Sequence, residues 1–320
     1  MKSKLVSVII PTYNRADRVI EAVRSARQQS YPAKQIIVID DGSNDETARR
    51  VAEFEGVEYY HQPHSRQGAA RTHGLKKSKG SYIATLDSDD VWKEDFLTES
   101  VKCLEKNNLD FVFSSWWTIS PWGEFESAWA RSGVWKKYAN DNSDDWFLLN
   151  SKQVRRLFIE TCPAPSSSLL LKRESLVSEW SSDLIIADDW CVMLDMILSK
   201  PCRAAFTLKQ LWTKYVHNDN IYDGRSRKDV IPELDLHDMR FLKERYSSQL
   251  SLSEKSFFNM RIAKGYLLLG AYFFRSALFD RKSKHNGNGN GHGNGYGNGN
   301  GNGNSKHNQD IADCQLPIAD

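Results

Sequence analysis

The sequence has no Cys-x-x-Cys pair, no membrane-length apolar run and almost no net charge, and each absence narrows what the chain can be. Its five cysteines, Cys103, Cys162, Cys191, Cys202 and Cys314, are an odd number at scattered spacings. That pattern suits neither a disulfide framework nor a zinc knuckle, and a reducing cytosol is its simplest home. Lys and Arg total 43 against 41 Asp and Glu, and a net +2 sets up no whole-molecule field for nucleic acid, so no nucleic-acid partner is expected. Ahead of Pro11 only Leu5 to Ile10 are mostly apolar, too few for the apolar region of a signal peptide, and a cytoplasmic location is expected. The late stretch Gly265 to Phe274 is cut by Arg275 and falls short of the roughly 18–20 apolar residues of a membrane span. It is expected to be a packed amphipathic helix. Peripheral contact with a membrane surface, with Lys264, Arg275 and Arg281 as its charges, is the alternative.

What is present is an ordinary globular composition, 40% apolar over 320 residues, whose first third alternates short β-branched runs with helix-period segments. Leu5 to Ile10 reads as a strand, and Ala16, Val19, Ile20, Val23 and Ala26 recur at helical spacing. Ile36 to Ile39 is a second buried strand ending at Asp40 and Asp41. Ser43 with Glu46 predicts a capping box and a helix from Asn44 that buries Val51 and Phe54. Val57 to Tyr60 and Tyr82 to Leu86 are further strands, the latter delivering Asp87, Ser88, Asp89 and Asp90 at its end. After a strand at Asp110 to Ser115 the composition turns Trp-rich, from Trp116 to Trp146, which marks a subdomain change. Helices are expected from Gln153, over about Asp188 to Ser199, over Val230 to Tyr246 and over Ser253 to Phe279. From Asn286 to Asn304 glycine fills every odd position, so a flexible tail is expected, with a metal role for His285, His292 and His307 as the weaker alternative.

Three constellations carry chemistry. Pro11-Thr12-Tyr13-Asn14-Arg15 and Asp40-Asp41-Gly42-Ser43 end neighbouring strands and can frame one pocket, in which Tyr13 stacks on a nucleobase and Asp41 accepts a pyrimidine N–H; a simple turn is the other reading. Asp87-x-Asp89-Asp90 crowds three carboxylates at a strand end, which repel one another unless a cation or hydrogen-bond donors neutralise them. A divalent cation such as Mg²⁺ or Mn²⁺ is the economical answer, and the other reading, compatible with it, makes Asp89 or Asp90 the cap of the helix through Phe96 and Val101. Asp188-Asp189 precedes a helix, where capping is the default and service as a general base is the functional alternative. The Trp-rich segment is expected to be mainly core, with a sugar-binding platform at Trp122 and Trp129 as the alternative.

Taken in order, V-S-V-I-I-P-T-Y-N-R, I-I-V-I-D-D-G-S-N-D-E-T, G-A-A-R-T-H-G and Y-I-A-T-L-D-S-D-D closely resemble family 2 of the inverting glycosyltransferases. The resemblance is strong from residue 5 to about 115. It continues loosely through Ser166 to Leu169, A-D-D-W and Y-V-H near His217, and is only generally helical over 221–280. It implies an α/β fold of GT-A type, a largely parallel central sheet flanked by helices, with a C-terminal helical extension and a disordered Gly/Asn tail. Residues 1–115 would be the nucleotide-sugar-binding half, 116–220 the acceptor-binding and catalytic-base half, 221–280 the extension and 281–320 the tail. Pro11, Thr12, Tyr13, Asp40 and Asp41 would hold the nucleoside, and Arg71 would help close the donor side. Asp89 would be the principal ligand of Mn²⁺ or Mg²⁺, with His217 near the metal and diphosphate, Asp87 facing the ribose or sugar and Asp90 near the donor sugar. Asp189 would be the base that deprotonates an acceptor hydroxyl. The implied partners are a nucleotide-sugar donor, UDP by default, and a glycan or lipid-linked glycan acceptor of surface polysaccharide or glycoconjugate synthesis. Two departures stand out: Asp188-Asp189 where the family often has Glu-Asp, and Arg71-Thr72 where it often has Arg-Asn. A sugar nucleotidyltransferase is a rival reading, disfavoured by the segment order and by the lack of a G-x-x-x-x-G-K-[ST] loop. A noncatalytic nucleotide- or sugar-binding protein is the other.

Overall fold

The computed structural model describes residues 3–139 and 145–286, with side chains placed through residue 274. Among them ten strands form one sheet: β1 (Val6–Thr12), β2 (Lys34–Asp40), β3 (Val57–His61), β4 (Tyr82–Thr85), β5 (Asp90–Trp92), β6 (Phe111–Ser120), β7 (Gly123–Glu126), β8 (Phe147–Leu149), β9 (Leu169–Lys172) and β10 (Ala204–Tyr215). The helices are α1 (Ala16–Arg27), α2 (Thr47–Val51), α3 (Arg66–Lys77), α4 (Phe96–Lys106), α5 (Ala128–Ser132), α6 (Ser151–Glu160), α7 (Asp188–Ser199), α8 (Arg227–Val230), α9 (Met239–Arg245) and α10 (Leu252–Asn286). Strand order is β3-β2-β1-β4-β9-β6-β10-β5, with β7 on β6 and β8 on β10. Residues up to Asn218 make one compact unit and those from Asp219 another.

The strand β1 is buried at every position, as its unbroken V-S-V-I-I run requires of a strand covered on both faces. It runs parallel to β2 and β4, with Thr12 opposite Asp40 and Ile9 opposite Thr85, so three strands end on one rim. Helix α3 can lie on them because of Gly74: a Cβ there would stand 2.3 Å from Ile9 Cγ2 and 3.3 Å from Ile39 Cγ1. Strand β9 runs antiparallel to both β4 and β6. Strand β10 is parallel to β6 and antiparallel to β5, which sets Lys214 opposite Asp90.

Some expectations are met here and others are corrected. No capping box forms at Ser43: its hydroxyl accepts the Asn14 N–H at 2.7 Å, Glu46 pairs with Arg49, and α2 begins only at Thr47. Helix α4 follows Asp95, and Asp90 lies in β5, so neither Asp89 nor Asp90 caps it. Strand β6 passes through Trp116 without a break. Trp129, 1% exposed, packs edge-on to Phe113 and Phe206, and Trp116 lies against Trp212, so these rings build core; Trp122, at 44%, faces solvent. The expected helix over Val230 to Tyr246 is interrupted by a wide π-helical stretch at Ile231–Asp238, where Pro232 has no N–H to give. The Gly/Asn segment, with His292 and His307, lies outside the described residues, and α10 itself continues to Asn286. Cys103, Cys191 and Cys202 are buried and Cys162 half-buried, and burial pushes the Cys202 pKa up to about 12. Among the described residues no helix is long and apolar enough to cross a membrane.

Gly74→Ala should lower unfolding free energy by about 1–3 kcal/mol, the usual cost of an extra methyl in a packed core. Urea denaturation followed by Trp fluorescence measures it, and a midpoint equal to wild type would show that α3 does not bear on Ile9 as described.

Candidate active site

The loops after β1 and β2 are stitched together at the rim. Asn14, with a left-handed φ of 50°, accepts the Asn44 N–H on Oδ1 at 2.9 Å, and Asp45 accepts the Ala16 N–H at 3.1 Å. Asp40 and Asp41 are buried and fully engaged. Asp40 accepts from the Ser43 N–H at 2.8 Å and the Tyr59 hydroxyl at 2.6 Å, a bond that with burial raises the Tyr59 pKa. Asp41 Oδ1 accepts from Gln62 Nε2 at 2.7 Å and the Ser65 N–H at 2.9 Å. Its Oδ2 meets His64 Nδ1 at 2.9 Å, and the same nitrogen lies 3.0 Å from the Asp41 carbonyl; two acceptors require Nδ1 to carry the hydrogen. The His64 ring rests on the exposed Tyr13 ring, centroids 4.2 Å apart. Pro11 and Thr12 end β1, and the buried Thr12 hydroxyl has no hydrogen-bond partner among the described residues.

Beyond β4 the chain turns tightly, the Asp90 N–H reaching the Asp87 carbonyl at 3.0 Å. Ser167, just before β9, staples this turn: its hydroxyl accepts the Asp87 N–H at 3.0 Å and donates to Asp90 Oδ2 at 2.6 Å. Arg15 reaches Asp89 Oδ2 at 2.8 Å. Burial raises the Asp89 pKa, and Asp87 adds to this against the opposing pull of Arg15 and Lys214. Asp90 is pushed well up by burial, then by Asp89 and Asp87, even though Lys214 and the Ser167 hydroxyl favour its charged form. Burial first, and then the mutual repulsion of the carboxylates, disfavours their charged forms, and a cation placed beside them would relieve both. The cluster is not a ready cage: among the described residues no group of three or more His, Cys, Asp or Glu side chains is set to hold a metal. His217 follows the end of β10, its ring 6.4 Å from that of Tyr215.

Buried Arg71 links this rim to α7. Its Nη2 donates to Asp87 Oδ1 at 2.6 Å and its Nη1 to Asp188 Oδ2, while Gln67 Nε2 gives Asp188 Oδ1 a second donor at 2.7 Å. Burial opposes the guanidinium charge, but Asp188, Asp87 and Asp189 more than offset it and raise the Arg71 pKa. The approach of α3 to the segment leading into α7 depends on Gly68, where a Cβ would stand 2.3 Å from the Ser181 carbonyl oxygen. Helix α7 occupies the expected span, Asp188–Ser199, and Trp190 anchors it through Nε1 to the Phe158 carbonyl at 2.6 Å. Asp189, partly open, accepts the Trp190 N–H at 2.7 Å; burial and then the Asp188 charge push it up to about 7.

Asp87, Arg71 and Asp188 are thus joined directly, with Asp189, Asp89 and Asp90 in the same electrostatic neighbourhood. Tyr13, Asp40 and Asp41 form a second cluster on the stitched loops. The residues that pattern reading passed over are His64, Gln62, Gln67, Ser167 and Arg15. Arg15 and Ser167 stood inside recognised motifs, whereas His64 carried no signal.

A parallel half-sheet with an acidic rim and a buried guanidinium behind it is the framework of an α/β sugar transferase of GT-A type. Residues 7–176 match Glycosyl transferase family 2, and the chain belongs to that family. It is 37% identical over 198 residues to an uncharacterized glycosyltransferase of Rickettsia conorii, covering 60% of this chain and 30% of that protein. It is 32% identical over 123 residues to WfgD of Escherichia coli, a UDP-Glc:α-D-GlcNAc-diphosphoundecaprenol β-1,3-glucosyltransferase, covering 38% of this chain and 49% of that one. The matches thus span about a third to a half of these relatives' length. Two solved structures share the fold. Residues 1–349 of S. aureus TarS with UDP-GlcNAc superpose at a TM-score of 0.59 and 18% identity, over 82% of this chain and 71% of that one. The mannosyltransferase PcManGT of Pyrobaculum calidifontis, with GDP-Man and Mn²⁺, superposes at 0.55 and 17% identity, over 86% and 79%.

Arg71→Met should destabilise the fold by about 3–5 kcal/mol at neutral pH, because it strands the buried Asp188 charge. A protonated Asp188 is relieved of that penalty, so the deficit should shrink as pH falls toward 5. Denaturant titrations at both pH values check this, and a pH-independent deficit would mean that lost packing, not the charge, is responsible.

Proposed function

We propose that the protein is an inverting glycosyltransferase that moves a sugar from a nucleoside diphosphate donor, by preference UDP, to a hydroxyl of a glycan or lipid-linked glycan during surface polysaccharide or glycoconjugate synthesis. The observation that carries this reading is the buried Arg71 bridge between Asp87 of the acidic rim and the Asp188-Asp189 pair. It ties a cation-seeking cluster to a carboxylate whose proton affinity lies near neutrality. TarS with UDP-GlcNAc, PcManGT with GDP-Man, and WfgD with its UDP-Glc donor and diphosphoundecaprenol-linked acceptor support the substrate classes.

In this reading Asp189 takes the acceptor hydroxyl's proton as its oxygen attacks the anomeric carbon, and the bond from that carbon to the diphosphate oxygen breaks on the opposite face. A base with a pKa near the working pH is partly ionised beforehand and still strong enough to accept the proton. Asp188 and Arg71 keep Asp189 and Asp87 in fixed relation, and Ser167 holds the turn that presents Asp89 and Asp90. Pro11, Thr12 and Tyr13 with Asp40 and Asp41 form the nucleoside side, Asp87 and Asp90 the sugar side. Asp89, with His217, would hold Mn²⁺ or Mg²⁺, which as a Lewis acid would stabilise charge on the departing diphosphate; such ions commonly take remaining ligands from phosphate and water.

Two measurements test this. UDP with Mn²⁺ should raise the melting temperature by a few degrees, GDP and dTDP by less, and Asp89→Ala should abolish the gain. No shift with any nucleotide would sink the donor site and leave a binding protein of another ligand or a defunct fold. With saturating Mn²⁺, kcat/KM should rise with pH through an apparent pKa near 7, since only the Asp189 carboxylate is a base. Asp189→Asn should lose about 10²–10⁴ in kcat while keeping the UDP-induced melting shift. An unchanged rate would remove Asp189 from the reaction.

A further inference from the structure

The segment expected to pack does so on one side only: Gly265 is buried, where a Cβ would stand 3.0 Å from Leu236 Cδ2, and Leu268 and Leu269 are half-buried. On α10 Tyr266, Leu267, Tyr272, Phe273 and Phe274 are exposed, Leu267 at 75% and Phe273 at 64%, and Ala263, Gly270 and Ala271 beside them are open too. Continuous apolar surface of this kind on a soluble face marks a site of contact. Cations rim it. The Arg240 guanidinium lies 5.2 Å from the Tyr266 ring centroid and the Lys228 ammonium 5.9 Å from that of Tyr272; both residues, and Lys264, are exposed. From Leu252 to Phe274 the helix carries Lys255, Arg261 and Lys264 against Glu254 alone, and its sequence to Asn286 adds four basic residues against Asp280. Arg261 is already held by Asp235 at 3.0 Å.

Length and charge select the occupant. The apolar stretch from Gly265 to Phe274 rises about 15 Å, half of the roughly 30 Å hydrocarbon core, so it can enter one leaflet's boundary but cannot cross. Tyrosines beside larger apolar side chains, bordered by Lys and Arg, suit the headgroup level of a negatively charged leaflet. A symmetric pairing of two copies through this face would set Lys228, Arg240 and Lys264 of one against those of the other, like charge on like. We infer that this face of α10 docks on an anionic bilayer, with Leu267, Phe273 and Phe274 at the acyl boundary and Lys228, Arg240 and Lys264 among the headgroups. The inference uses no donor-site residue and stands apart from the proposed reaction.

Sedimentation of the full chain with vesicles tests it. Binding is expected to phosphatidylcholine vesicles containing about a third phosphatidylglycerol, and should be severalfold weaker both to pure phosphatidylcholine and when NaCl rises from about 0.05 to about 0.5 M. Leu267→Glu with Phe273→Glu should cut partitioning at least about tenfold, since each removed side chain accounts for more than one factor of ten in transfer. Both sites are exposed, so the melting temperature should hold, and Phe273→Trp, an interfacial residue of equal apolar reach, should bind as wild type or better. Three results would overturn the proposal: no sedimentation with any vesicle, equal binding by the double Glu variant, or a dimer in sedimentation equilibrium that the double variant dissolves while vesicles capture neither protein.

Discussion

The structure turns on one buried cation. Arg71 sits where water cannot reach it, and a guanidinium in such a place is tolerable only when carboxylates meet it with good geometry. Asp87 and Asp188 do so from two separate segments, one following β4 and one opening α7. Asp188 is buried and would be costly without Arg71, while Asp87, a third exposed, meets the guanidinium from the rim. The bridge thereby holds the ends of β4, α3 and α7 at a fixed spacing. Gln67 completes the arrangement by satisfying the second oxygen of Asp188, which would otherwise be an unpaired acceptor in a dry setting.

Around this junction the parallel register of β1, β2 and β4 does the coarse positioning and short-range hydrogen bonds do the fine work. The register brings Thr12 and Asp40 side by side. Ser43, Asn14 and Asp45 then lash the two loops, while Ser167 sets the acidic turn from across the sheet. Much of the polar chemistry at the rim is thus consumed in holding other polar groups in place. Asp40 and Asp41 are the clearest case, buried and answered on both oxygens.

The central strands were legible in the sequence because β-branched runs such as V-S-V-I-I and I-I-V-I are buried on both faces and have few other uses, whereas the short β5, β7 and β8 carry no such run and were not read. Helix α7 was readable for the same reason, its apolar side and acidic start agreeing. The first turn of α2 was not. Ser43 had the right spacing from Glu46, but its hydroxyl turned to the amide of Asn14, 29 residues earlier, and Glu46 to Arg49. The partnership of Arg71 with Asp188 spans 117 positions and leaves no local trace: Asp188 stood out only as part of an acidic pair at a helix start, and Arg71 only through the family pattern. His64 and Ser167 were missed because their roles are set wholly by what the sheet brings near them. The tryptophans from Trp116 onward read correctly as core in the main, since large rings at strand and helix spacing more often fill space than face it.

His64 covers part of the rim. Its ring lies over Tyr13 and its Nδ1 engages Asp41, so the flat face and the carboxylate on that part of the rim are already spoken for. Any planar molecule that comes to use both must evict an imidazole, and when it leaves the imidazole can return. Binding there is an exchange, not a filling: its strength is the difference between two stacks and two hydrogen bonds. A nucleoside bound there, as proposed, would give up some tightness and, in return, be helped out by the returning ring.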